Sequence, residues 1–478
     1  MNVKMRNYKL ALVAVATLVF ANAVIAQEPE TPEQPKPAGR GIPAIDDSTA
    51  QDQNTDSLAE WNPDTMPITG LQTPTIGFPE SRHSYLVPGL QYGSSLLDQP
   101  NGGGNSAGWY SYNFFGANLS LLQQWSRSSQ LALNYSVGGY VSDAPGQSNG
   151  WYQDLALSQN FLWRRWQMQI LDQFAYLPQS QFGFGGGTGL GLPGIGGPLA
   201  PSIPGISISV LPNQSNYAAN GPQYYNSFVT QITYQTSQRG SITMAGSFGL
   251  LRFTQAGVDS NLYSGSVGYN YMLTKEDSVG LFYRFTAYHY PGEPQAFGDQ
   301  AINMVYVRKV TKRVALQIYG GPDITSYRIP EGGQSQTVAG DAGVNLTYAF
   351  QKGAVSASYL HGIVGGSGIL IGSSADQLSL SATRRVTRVW SAQGNFGFGQ
   401  NRPLGNGVGV QGTDFNSIYV GGGLSRPIGK NANVSIAYQA QIQPGNATIC
   451  TGSACNTSHT LNIVTINFQW HTRPFVLE

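Results

Sequence analysis

Apolar and polar residues alternate strictly along this chain in segments of about ten residues. Ser241 to Leu250 shows the pattern. Ile242, Met244, Phe248 and Leu250 fall on one face of a strand, and Ser241, Thr243, Ala245, Ser247 and Gly249 on the other. Side chains of a strand point alternately to its two faces, so each segment has one apolar and one polar side. Alternation and turn signals place such segments near 115, 136, 156, 170, 230, 246, 267, 284, 305, 317, 345, 358, 380, 395, 420, 438 and 465.

The connections alternate in length. Short ones fall at Trp125–Gln130, Leu162–Arg165, Thr236–Gly240, Thr274–Asp277, Val310–Lys312, Gln351–Gly353, Thr387–Arg388 and Gly429–Asn431. Longer ones fall at 143–149, 177–222, 254–260, 291–298, 321–337, 364–374, 401–413 and 444–459. A soluble sandwich would turn the apolar faces to a core. A transmembrane barrel turns them to lipid, with short turns at one end and longer loops at the other. With both termini at the short-turn end, parity requires one more strand before 115. Ser84 to Ser95 fits, in spite of Pro88. The expected fold is all-β: a transmembrane, antiparallel, up-and-down β-barrel of about 18 strands, with 16 as the alternative.

The N-terminus and the composition favour the membrane. Lys4, Arg6 and Lys9 precede an apolar run from Leu10 to Phe20, and small residues follow at Ala21-Asn22-Ala23 and Val24-Ile25-Ala26. Residues 1–26 read as a secretory signal peptide, because the run is too short to span a bilayer. Charged residues make up 11% of the chain, against about 25% in soluble globular proteins. A wall that faces lipid needs few charges. Apolar content of 41% suits strands with one wet face better than sheets buried on both sides.

Charge is unevenly placed. Residues 27–80 hold ten acids and two bases, a net of −8, and are rich in Pro and Gln. They read as a disordered periplasmic tail, open to a periplasmic partner. Residues 81–478, assigned to the barrel, have a net charge of +6. The bases gather at the short turns: Arg127, Arg164, Arg165, Arg239, Lys275, Lys309, Lys312, Arg313, Lys352, Arg384, Arg385, Arg388, Arg426 and Lys430. Contact with lipid headgroups, or docking of the acidic tail, would use this ring. A nucleic-acid site is not expected from bases spread around a rim without a stacking platform. The loop 177–222 is the outlier: no charge occurs between Asp172 and Arg239. It either narrows the pore from inside or meets a partner outside.

The polar phase gives the candidate pore lining: Ser227, Gln231, Gln235, Arg284, Asn345, Gln393, Asn395, Gln439 and Gln441. The lumen read this way is neutral and hydrogen-bonding, with Arg284 as the exception. Met244 and Ile436 are assigned to lipid, and Thr243 and Gln439 to the lumen. Asp172 shares a phase with Trp166, Met168 and Ile170; a bulge or a position at the interface would reconcile it with lipid. The five His have no metal spacing, and no cofactor or metal is expected. His289 and His361 lie near strand ends among serines, where a lipid hydrolase would need a Ser/His pair on the outer wall; no enzyme is expected. Cys450 and Cys455, in the last long loop, are expected to form a local disulfide in an oxidising compartment.

The signal sequence, the alternating strands, the turn rhythm and an aromatic last strand together resemble the Gram-negative outer-membrane β-barrel class over residues 81–470. The class includes porins and eighteen-stranded polysaccharide exporters. The last strand (Val464, Ile466, Phe468, Trp470) resembles the terminal signal read by the barrel assembly machinery. Here His471 to Glu478 follow it, with Pro474 as the expected stop. The resemblance implies outer-membrane lipid as surroundings and diffusion of small neutral polar solutes, sugars among them, as function. Export of a polysaccharide and a structural or adhesive role are the alternatives. Residues 27–80 are too few and too polar for the plug of a siderophore receptor. Oligomeric state is left open.

Overall fold

The computed structural model describes residues 84–98, 108–126, 128–143, 149–177, 223–254, 259–292, 296–311, 313–328, 334–365, 372–404, 415–429, 431–443 and 459–477. The signal peptide, the acidic tail, most of the loop 177–222 and the Cys450–Cys455 pair lie outside them. The strands are β1 (Ser84–Asp98), β2 (Trp109–Ser126), β3 (Ser129–Ser142), β4 (Gly150–Trp163), β5 (Trp166–Leu177) and β6 (Gln223–Gln235). Then follow β7 (Gly240–Phe253), β8 (Ser260–Met272), β9 (Asp277–His289), β10 (Ala296–Thr311), β11 (Val314–Arg328) and β12 (Gln334–Phe350). The chain continues through β13 (Gly353–Val364), β14 (Ser373–Arg385), β15 (Ser391–Pro403), β16 (Phe415–Ile428), β17 (Ala432–Gln443), β18 (His459–His471) and the short β19 (Phe475–Leu477).

Each strand pairs antiparallel with the next, and β1 pairs with β18, from Gly89 opposite His471 to Asp98 opposite Asn462. The sheet is therefore a closed barrel of eighteen long strands. Closure leaves no free edge, which a lipid environment would not tolerate. Pro474 does not end the pairing. After a break at 472–474 the chain resumes as β19 opposite Ser84–Leu86. The break faces Pro88, whose carbonyl accepts a hydrogen bond from Thr472 N at 2.9 Å. Both prolines lack an N–H, so an interrupted ladder accommodates them.

One expected loop is mostly strand. The turn signals place a long connection at 321–337, but β11 runs on to Arg328 and β12 begins at Gln334. Gly320-Gly321-Pro322 has the composition of a turn. Here the prolyl nitrogen falls where the β10–β11 ladder lapses, between Ala301–Asp323 and Met304–Gly320. A Cβ at Gly321 would run into the Ile302 carbonyl, so the close approach of the two backbones requires glycine.

The two faces behave differently. Met244, Val267, Leu281, Tyr283, Ile302, Met304, Ile318, Leu346, Ile436 and Ile466 are exposed on one face, forming an apolar outer band. Trp109, Trp151 and Tyr263 stand exposed near the loop end, and Trp125, Trp163, Trp166 and Trp470 near the short-turn end. Inward aromatics lie against glycines of nearby strands: the Tyr152 hydroxyl against Gly116 and Gly138, and the rings of Phe114 against Gly93, Phe282 against Gly268 and Tyr319 against Gly343. These pairs explain part of the high glycine content, since a Cβ in those places would meet the aromatic side chain. The alternation alone makes Thr243 a plain lumenal position. It does face inward, but it is fully buried between Thr233 and Asn270.

Met244 and Ile436 are 42% and 46% exposed on the apolar band. Arginine at either should cost about 2–4 kcal/mol of stability in a bilayer. Arginine at the inward, half-buried Gln439 should cost much less. Folding titrations into lipid vesicles measure both, and equal costs on the two faces would contradict the assignment of faces.

Candidate functional site

The inner face of β12–β17 is a run of small neutral polar residues in register. Thr347 stands opposite Ser356, Ser356 opposite Ser381, Ser381 opposite Asn395, Asn395 opposite Gly421, and Gly421 opposite Gln439. The adjacent row runs Asn345, Ser358, Ser379, Gly397, Tyr419 and the backbone of Gln441. Ser356 and Ser381 share a hydrogen bond at 2.6 Å. Gln393 is exposed and stands opposite Gly423. The fold thus gathers four of the predicted residues, Asn345, Gln393, Asn395 and Gln439, onto one wall. The Gln441 side chain lies outside the described part.

The other predicted residues are elsewhere. On β6, Ser227 is buried, Gln231 Nε2 donates to Thr233 Oγ1 at 3.4 Å, and Gln235 is exposed at the short-turn end. Arg284 on β9 faces inward but is almost fully buried. It is the centre of a charged cluster on the β9–β12 wall, so the one charged exception in the expected lining brings three aspartates with it. Its Nη2 lies 3.0 Å from Asp299 Oδ2 and 3.6 Å from Asp323 Oδ2; its Nη1 lies 3.0 Å from Asp341 Oδ2. Asn303 Nδ2 donates to Asp341 Oδ2 at 2.7 Å. One guanidinium therefore ties together four consecutive strands. Ala301, opposite Arg284, and Gly321, opposite Asp341, are the small residues across which the arginine reaches.

The three aspartates escaped sequence reading. Asp299 and Asn303 alternate with the lipid-facing Ile302 and Met304, so their inward phase was legible. Asp341 likewise shares the phase of Asn345. Asp323 fell in the segment assigned to a loop.

An aromatic clasp lies next to the cluster at the loop end. Tyr288 stacks on Phe297 at 4.3 Å, and Tyr290 lies 6.1 Å from Phe297. Tyr288 Oη donates to the Ile363 carbonyl at 3.4 Å, and Tyr290 Oη to the Gly365 carbonyl at 2.5 Å. The β9–β10 and β13–β14 hairpins therefore touch, although β11 and β12 lie between them in the sheet.

Two polar groups stand on the outer face. Asp172 keeps the outward phase of Ile170 with no register shift in either neighbouring ladder, so no bulge turns it inward. Asn226 Nδ2 donates to its Oδ1 at 2.9 Å. Near the loop end, Asp376 accepts from Tyr359 Oη at 2.7 Å and lies 2.7 Å from His361 Nδ1, with Arg402 Nη2 at 3.7 Å. His289 stands exposed on the outer face at the end of β9.

No protein-family model and no curated protein matches the chain. Solved structures align with the chain over most of its length. OpdL of Pseudomonas aeruginosa is 10% identical, with 81% of this chain and 98% of that one covered, at a TM-score of 0.41. OpdQ of the same organism is 9% identical, covering 83% and 100%, at 0.42. A BenF-like porin from Pseudomonas fluorescens Pf-5 is 9% identical, covering 82% and 99%, at 0.42. A likeness of fold does not carry function, which has to come from the residues of this barrel.

The cluster sets a clear expectation. Arg284→Met keeps the bulk of the side chain and leaves three buried carboxylates without their cation. Removing one partner of a buried ion pair costs about 3–5 kcal/mol. Denaturant titration in vesicles should show a loss of that size; a loss under about 1 kcal/mol would mean the cluster does not hold these strands.

Proposed function

We propose that this chain is an outer-membrane channel for the diffusion of small neutral polar solutes, sugars among them. The apolar outer band with tryptophans near both ends supports the membrane setting, since such girdles sit at the two bilayer interfaces. The unbroken row from Thr347 through Ser356, Ser381, Asn395 and Gly421 to Gln439 carries the functional reading. Hydroxyls and amides exchange hydrogen bonds with water or with a sugar at little net cost, because an intramolecular or water-mediated bond is replaced by an equivalent one. A solute that slides along such a row is neither trapped nor repelled by fixed charge. Barrels of sixteen to eighteen strands are wide enough to enclose an aqueous path.

Planar-bilayer recording tests this. The purified chain should form open channels. Asn395→Trp, on the inner row, should lower conductance by a clear fraction, while Ile436→Trp, on the lipid face, should leave it unchanged. Absence of conductance, or equal effects from the two variants, would contradict the channel.

A further inference from the structure

Asp172 places a carboxylate at hydrocarbon depth on the outer face of β5, and its own strand measures that depth. At the short-turn end Trp166 lies 4.5 Å from Tyr234, centroid to centroid. At the loop end Tyr176 stands between Trp151, at 4.7 Å, and Tyr224, at 4.6 Å. Outward aromatic rings of this kind mark the two bilayer interfaces. From Trp166 to Tyr176 the strand, at about 3.3 Å per residue and a tilt of about 40°, rises about 25 Å, the height of a barrel's apolar band. Asp172 then lies about 10 Å inside the nearer interface. Headgroups do not reach that level, and an aspartate is too short to snorkel out to them as lysine or arginine does.

An ionisable group in the hydrocarbon region is costly and is met by polar groups of protein. Asn226 Nδ2 answers Oδ1 at 2.9 Å. Lipid offers nothing to the outward side of the pair. The wall beside it is also hollow. Thr230, Gly246 and Gly265 follow one another across β6, β7 and β8 in outward positions. A Cβ at Gly246 would meet only Thr230 Cγ2, at 3.8 Å, and one at Gly265 would meet nothing within 4 Å. Phe248 and Tyr263, 5.2 Å apart, form the upper edge of this hollow. Small residues on a membrane-facing surface let a second protein wall come close, and polar residues hold such walls together.

We infer that the outer face of β5–β8 is an interface between two copies of this chain, with Asp172 and Asn226 at its centre. Both copies have one orientation in the membrane, so the two-fold axis runs along the membrane normal. In a two-fold contact the same patch meets itself, each residue facing the counterpart of its neighbour. An axis between β5 and β6 sets β5 of each copy against β6 of the other. The two carboxylate–amide pairs then lie antiparallel, each carboxylate beside the other copy's amide, and at low dielectric such dipoles attract. The hollow on β7 is left to take side chains from β4 of the second copy. The inference uses the membrane setting alone and stands whether or not the lumen conducts.

The test uses the purified full chain, labelled with one dye at its N-terminus and inserted into phospholipid vesicles over a range of protein densities. Photobleaching steps count the copies in each assembly. The wild type should bleach in two steps. Asp172→Leu removes the polar centre and Gly246→Trp fills the hollow; each should raise the density needed for half association at least tenfold. Asp172→Asn, which keeps a hydrogen-bonding group, should retain the two-step assembly, and Ile436→Trp, on β17 away from the patch, should leave it unchanged. Single steps at every density would overturn the interface, as would assemblies of three or more, or unchanged association in either Asp172→Leu or Gly246→Trp. Equal weakening by Ile436→Trp would overturn its location. If one of the two disruptive variants does not insert, the other decides.

Discussion

Every other feature of this protein depends on backbone closure. A bilayer core holds no water, so each N–H and C=O of a spanning strand must find its partner within the protein. An open sheet of eighteen strands would expose two edges to lipid. Here β1 meets β18 over ten residue pairs, and the ladder continues past a break into β19. Closure fixes which face of each strand looks outward, because a shift of one residue would turn every side chain to the other side. The apolar band and the polar rows are two consequences of that one registration.

Closure also explains how the interior is furnished. A large barrel has room inside that backbone alone does not fill. On the β12–β17 wall the space is left to short polar side chains and glycine. On the β9–β12 wall it is taken up by the Arg284 cluster and the Tyr288–Phe297 clasp, which draws two distant hairpins together. The two walls are chemically unlike: one neutral and half-buried, the other charged and buried.

Much of this was legible in the sequence, because period-two alternation is a local signal. Ser241–Leu250 identifies its strand and its two faces without reference to any other residue. Strand number followed from parity and turn length, which depend only on where the chain must start and end. What was not legible depended on neighbours in space. Gly321-Pro322 has the composition of a turn, and only the lapse in the β10–β11 ladder makes it strand. With it went Asp323, and so the full charge of the cluster. Tyr152 against Gly116 and Gly138 joins residues that only registration brings together. Asp172 was rightly seen to oppose its phase, and its answer, Asn226, lies across a loop of 45 residues.

The central claim is that the barrel closes in this register. Ser95 and Thr465 stand opposite each other on the inner face, their hydroxyls 2.8 Å apart and 370 residues apart in sequence. Opposed residues on paired strands are close enough for a disulfide. In a background with Cys450 and Cys455 replaced by serine, Ser95→Cys with Thr465→Cys should cross-link on oxidation of the folded protein, seen as a shift in electrophoretic mobility. Ser95→Cys with Ile463→Cys, one inward position out of register, should not. No cross-link in the first pair, or equal cross-linking in both, would contradict the closed barrel described here.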